Sequence, residues 1–191
     1  YVNRLYRMVR ANLPGNWKFV CLTDDAVGLD PEVQTIDISN LESKGWWTKL
    51  ALFDSRSLIV DDMVLYLDLD TVIIGDLSFI GELKVGFYIF EHTLQPCFNS
   101  SVLLFSRSFS RKIFDHFDDS VVGRLVGDQD WIEECVPECD VFPRGKIRIF
   151  RELHPDIDIP SLKKLDARVI TFPASPKPDQ VQIGWVPHLW R

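Results

Sequence analysis

Apolar positions at the start of the chain fall at Val2, Leu5, Tyr6, Val9 and Leu13. This is the three-to-four spacing of an amphipathic helix, and Pro14-Gly15 ends it. "WKFVCL" then predicts a short strand running into "TDD", and "VQTIDI" predicts another. "GWWTKLALFDSR" predicts a helix, with Trp47, Leu50, Ala51 and Asp54 on neighbouring turns. "VGFYIF" and "SVLLF" read as strands, "SFSRKIFDHF" and "GDQDWIEEC" as helices, and "RVITF" as a last strand before the proline-rich "PASPKPD". The second of those helices carries acids in its first turn, where the helix dipole favours them. Alternating helices and strands predict an α/β fold with a mostly parallel central sheet flanked by helices.

The most informative stretch is "MVLYLDLDTVIIGDL", residues 63–77, an apolar run interrupted by Asp68 and Asp70. In a strand, residues two apart project from the same face, about 6.6 Å apart along the chain. Two carboxylates brought to about 4 Å repel by roughly 4 kcal/mol at an effective dielectric near 20. A divalent cation, a basic partner or a shared proton would offset that. The competing reading ends the strand at Leu67 and leaves both acids in a solvated turn. A second D-x-D, Asp156 and Asp158 in "HPDIDIP", has prolines on both sides and reads as loop.

Bulk properties narrow the classes. The 191 residues are 46% hydrophobic and 26% charged, which fits a single domain over 1–191. Net charge is −7 and the basic residues are scattered, which argues against nucleic acid as a partner. The acids interrupt the best candidate for a membrane span, so none is expected. Cys21, Cys97, Cys135 and Cys139 lack zinc spacing and read as free thiols, which favours a cytoplasmic location.

Two enzyme classes end an apolar strand in D-x-D. Haloacid-dehalogenase-like phosphatases place it on the first strand and require a later G-D-x-x-x-D; here an earlier strand precedes it, and the second acid position is Ile132. The other class fits better. "YVNRLYRMVR", "FVCLTDD", "GWWTKLALF", "VLYLDLDTVIIGDL", "NSSVLLF", "GDQDWI" and "PKPDQV", in this order, make the chain resemble GT-A-fold glycosyltransferases of the glycogenin and bacterial lipooligosaccharide-galactosyltransferase family.

The resemblance implies transfer of a sugar from a nucleotide-sugar donor, most often a UDP-sugar, to a carbohydrate or lipid-linked acceptor, with retention of configuration. It implies that Asp68 and Asp70 bind Mn²⁺ or Mg²⁺ against the donor diphosphate. Lys49, Asn99, Ser100 and Lys177 would bind the donor, and Asp128, Gln129 and Asp130 would lie beside the reacting carbon. Asp24 and Asp25 would line the nucleotide or acceptor pocket, although turn formation explains them equally well. For Asp128 the alternative is an N-cap, and for Lys49 a solvated helix lysine. Trp46 would offer a sugar-stacking face, with Trp47 in the core.

The chain departs from the family at two points. It opens on a helix where the family opens on a strand, so a domain truncated by its first strand is expected. "FPASPKP" also puts Pro173 where related enzymes carry a metal-binding histidine. A non-catalytic domain that keeps nucleotide-sugar binding is therefore the alternative function.

Overall fold

Helix α1 (Val2–Asn12) buries Leu5, Tyr6, Met8 and Val9, the stripe its spacing predicts. The computed structural model describes residues 1–41, 45–54, 63–92, 97–154 and 156–191. The end of the helix predicted over 45–56 lies outside them. Strands β1 (Val20–Thr23) and β2 (Gln34–Asp37) follow and pair in parallel.

Residues Gly45–Phe53 form a 3₁₀ helix, not the α-helix expected. At three residues per turn, positions three apart stack on one face. Trp46, Lys49 and Leu52 therefore share a line and border one cleft. Trp47, Leu50 and Phe53 form the next line and pack in the core.

The run over 63–77 divides between two sheets. β3 (Met63–Leu67) belongs to a four-stranded sheet with β5 (Phe87–Glu91), β6 (Phe98–Ser106) and β7 (Asp140–Val141), in the order β3-β6-β5-β7. β4 (Val72–Ile73) belongs to a three-stranded sheet with β8 (Ile147–Ile149) and β9 (Val169–Thr171), in the order β4-β9-β8. The short helices are α2 (Ser110–Phe114), α3 (Asp119–Arg124), α4 (Asp128–Cys135), α5 (Ile159–Lys164) and α6 (Val186–Leu189).

The four-stranded sheet is covered on both faces, as its period-two alternation requires. On β6, Val102 and Leu104 enter one core cluster while Leu103 and Phe105 enter the other. On β5, Tyr88 and Phe90 divide in the same way from Phe87 and Ile89. The first cluster is built with α1, β4, β8 and β9; the second with the 3₁₀ helix, α2 and α4.

The α/β class is as expected, but the pairing is mixed, not mostly parallel. Among the described residues, β1–β2, β5–β7 and β8–β9 are parallel, whereas β3–β6, β5–β6 and β4–β9 are antiparallel. Only residues 92–97 separate β5 from β6, too few for the helical crossover that parallel neighbours need. β1 and β3 each pair on one side only among the described residues, and both border the same cleft.

Candidate functional site

The cleft has a volume of about 1470 Å³. Its floor is apolar, from α1, β1 and β3, and its polar end lies where the chain passes from β3 to β4. Such crevices, where strands leave one sheet for another arrangement, are common ligand sites in α/β proteins.

At that junction the strand ends at Leu67, as the turn reading had it. The Asp68 N–H still bonds the Ser101 carbonyl at 2.9 Å, and the Thr71 N–H closes a turn on the Asp68 carbonyl at 3.1 Å. The acids are not solvated, however. Side-chain exposure is 25% for Asp68 and 16% for Asp70, and both residues line the cleft. A turn, not a continued strand, carries the two acids, and each carboxylate pairs with its own lysine.

Asp68 keeps the face of Tyr66, two residues earlier on β3. The Tyr66 hydroxyl donates to Asp68 Oδ1 at 2.5 Å. Lys49 Nζ lies 3.3 Å from that oxygen and 5.3 Å from the centre of the Tyr66 ring. Burial, followed by the Asp68 charge, holds the Tyr66 phenol protonated well above its ordinary range. Tyr66 was missed in the sequence reading, although its position two residues before an acid was a usable signal.

Lys49 also gathers Asp128. Nζ lies 3.1 Å from Asp128 Oδ2 and donates to Ser100 Oγ at 2.8 Å, while that hydroxyl donates to Asp128 Oδ2 at 2.7 Å. Asp128 is 5% exposed. It is not the N-cap: Gly127 holds that position, and the Asp128 side chain turns into the cleft. Nor is Lys49 a solvated lysine, with 11% of its side chain exposed.

Asp70 has a different partner. β4 and β9 run antiparallel, so the residues before β4 lie beside those after β9. Lys177 Nζ reaches Asp70 Oδ2 at 2.5 Å and the Phe172 carbonyl at 2.9 Å. The second carboxylate oxygen, Oδ1, is buried and has no hydrogen-bond partner among the described residues. Burial raises the Asp70 carboxyl above its ordinary value; the bond from Lys177 opposes the rise and the Asp68 charge adds to it.

The remaining expected residues divide. Asn99, Gln129 and Asp130 line the cleft; Asn99 Oδ1 accepts the Ser101 N–H at 2.9 Å, and Asp130 Oδ2 accepts the Val126 N–H at 3.2 Å. Asp24 and Asp25 do not line it. They are exposed turn residues, with Asp25 Oδ1 accepting the Val27 N–H at 2.9 Å, so local turn chemistry accounts for them. Trp46 is 62% exposed at the cleft edge, its indole donating to the Val126 carbonyl at 3.1 Å, whereas Trp47 stacks on Phe117 in the core. Tyr1, also missed, lines the cleft and donates its hydroxyl to Asp179. Asp158 caps α5 through the Ser161 N–H at 2.8 Å, a structural use of the second D-x-D.

Among the described residues no three His, Cys, Asp or Glu side chains gather as a ready-made metal cage. Pro173 lines the cleft and no described histidine does. A hard cation held by one or two carboxylates plus substrate oxygens needs no such cage, and the orphaned Asp70 Oδ1 is a free oxygen donor for it. No disulfide joins the four cysteines, and no described helix is long and apolar enough to cross a membrane.

No protein-family model and no curated protein matches the chain. Solved structures do. The glycosyltransferase GlyE of Streptococcus pneumoniae TIGR4 superposes with a TM-score of 0.70 at 18% identity, covering 99% of this chain and 56% of GlyE. Its apo form gives 0.67 at 17% identity, covering 99% and 55%. The galactosyltransferase LgtC, in complex with donor and acceptor sugar analogues, gives 0.68 at 16% identity, covering 93% of this chain and 84% of LgtC. The chain thus spans little more than half the length of GlyE, and it has the fold of these glycosyltransferases, the GT-A-like fold expected from its sequence.

Proposed function

We propose that the chain transfers a sugar from a nucleotide-sugar donor, a UDP-sugar foremost, to a carbohydrate or lipid-linked acceptor, with Mn²⁺ or Mg²⁺ as cofactor. One observation carries the reading. Asp68, Asp70, Lys49, Asp128 and Lys177, from four separate segments, meet at the polar end of one large cleft in a glycosyltransferase fold.

In this reading a divalent ion on Asp68 and Asp70 would neutralise the charge that develops on the departing nucleoside diphosphate. Lys49 and Lys177 flank the same position and add positive charge to it. Ser100 and Asn99 offer hydrogen-bonding groups to the sugar hydroxyls, and Trp46 offers an exposed ring face at the rim. Asp128, held by Lys49 and Ser100, is oriented before any substrate arrives; with Gln129 and Asp130 it would stabilise the reacting carbon or position the acceptor. Asp24 and Asp25 lie outside the cleft lining.

The test is calorimetric titration of UDP with and without Mn²⁺, followed by UDP release from UDP-sugars. Expected are Mn²⁺-dependent UDP binding, slow Mn²⁺-dependent UDP release, and product retaining the donor configuration. Absence of any metal-dependent nucleotide binding overturns the reading. Pro173 favours the second reading, a binding domain without turnover. That reading predicts that Asp70→Asn leaves UDP affinity unchanged, and a loss of affinity partly restored by extra Mn²⁺ eliminates it.

A further inference from the structure

The Lys177 ammonium sits on the very carboxylate that a cation would need, 2.5 Å from Asp70 Oδ2 and backed by the Phe172 carbonyl at 2.9 Å. Lys49 cannot substitute for it, being committed to Asp68, Asp128 and Ser100. We propose that Lys177 competes with the divalent cation for Asp70, and that cation binding releases this ammonium toward the incoming diphosphate. The proposal rests on the reading of the cleft as a nucleotide-sugar site and assigns the order of charge exchange within it.

Charge at the junction favours such an exchange. Asp68, Asp70 and Asp128 face Lys49 and Lys177, an excess of one negative charge. A doubly charged diphosphate entering this arrangement would raise the excess to three. A divalent ion bound alone turns the original excess into one positive charge, and bound with the diphosphate it brings the excess back to one negative charge; in both cases it shares Asp70 with an ammonium of like charge. Lys177 side-chain exposure is 36%, and a long flexible lysine can leave such a position at little cost. Its departure gives the ion Asp70 and gives the diphosphate a cation. Cation and nucleotide therefore strengthen each other's binding, as linkage demands when each removes a cost from the other.

The experiment measures Mn²⁺ binding alone, and then with UDP, by calorimetry and by electron paramagnetic resonance of free Mn²⁺. It compares the unaltered chain with Lys177→Met, Lys177→Arg and Lys18→Met. Lys18 also lines the cleft and reports the effect of removing a charge from its wall. Thermal melts establish that each variant is folded. Lys177→Met is expected to bind Mn²⁺ alone about fivefold more tightly or better and to lose most of the tightening that UDP confers. Lys177→Arg should keep both behaviours, and Lys18→Met should change Mn²⁺ affinity much less. Unchanged or weaker Mn²⁺ binding by Lys177→Met, an equal gain from Lys18→Met, or no Mn²⁺ binding by any variant overturns the proposal. The two readings fail separately. Tighter Mn²⁺ with no UDP binding sinks the donor reading and leaves the competition standing, whereas normal Mn²⁺-dependent UDP binding with an unaltered Lys177→Met affinity sinks the competition alone.

Discussion

Lys49 Nζ lies 3.1 Å from Asp128 Oδ2, and the Ser100 hydroxyl donates to the same oxygen at 2.7 Å. The three residues come from the 3₁₀ helix, β6 and α4. This contact lies at the polar end of the cleft and leaves Asp128 almost no access to water.

Lys49→Met should therefore cost about 3 kcal/mol of stability, because it strands a buried carboxylate. The double variant Lys49→Met with Asp128→Asn should cost less than the sum of the two single changes, since neither charge is then left alone. Urea unfolding reads both quantities. A cost for Lys49→Met below about 1 kcal/mol, the range of an exposed pair, would contradict the burial argument.

Asp70 is expected to be a stability liability. Its folded-state pKa is raised, chiefly by burial, so its contribution to stability is present below the unfolded carboxyl value and is lost as pH rises through the raised one. At pH 7 the charged form is the costly one. Asp70→Asn should melt no lower than the unaltered chain at that pH while Mn²⁺-dependent UDP binding disappears. A melting temperature several degrees lower would refute this trade.

The same shift has a direct reading in solution. Carbon-detected titration of the aspartate carboxyls should place Asp70 above the ordinary value, with Asp76, Asp118 and Asp158 below it. The last three accept hydrogen bonds from Ser78, Ser120 and Ser161, which favour their charged forms. Because a cation needs the deprotonated carboxylate, Mn²⁺ should dissociate on acidification before those three acids protonate. Titration of Asp70 together with them would remove the basis for this prediction.

Cys135 should react slowly. Burial, and secondarily the Glu134 charge, push its thiol up to about 11. Only the thiolate is nucleophilic, so the folded chain at pH 8 should be alkylated at Cys135 far more slowly than the urea-unfolded chain. Peptide mapping after timed exposure to iodoacetamide resolves each cysteine. Equal rates in the two states would show that Cys135 is open to solvent.

Much of the fold was legible because hydrophobic spacing is a local property. The Val2–Leu13 stripe gave α1 nearly to the residue, and the apolar run "SVLLF" predicted a strand, whose side chains the structure divides between two cores. Gly45–Phe53 was less legible. Its apolar residues satisfy a period of three as well as one of 3.6, and which period holds depends on what lies beneath. Three per turn puts Lys49 in line with Trp46 and Leu52 along the cleft.

The acids show the same division. The local sequence says that Asp68 and Asp70, set inside an apolar run, need a cation, a basic partner, a shared proton or a solvated turn. It does not say which partner, nor that the strand stops one residue short of the first acid. A hydrophobic run carries no mark of where its hydrogen-bond partner changes, yet residues 63–67 pair with β6 while 72–73 pair with β9. The sequence by itself determined the α/β class, the acids and the lysines. Only the tertiary structure assigned Asp68 to Lys49 and Asp70 to Lys177 and left Asp24 and Asp25 outside the cleft, because those outcomes depend on pairings between segments far apart in the chain.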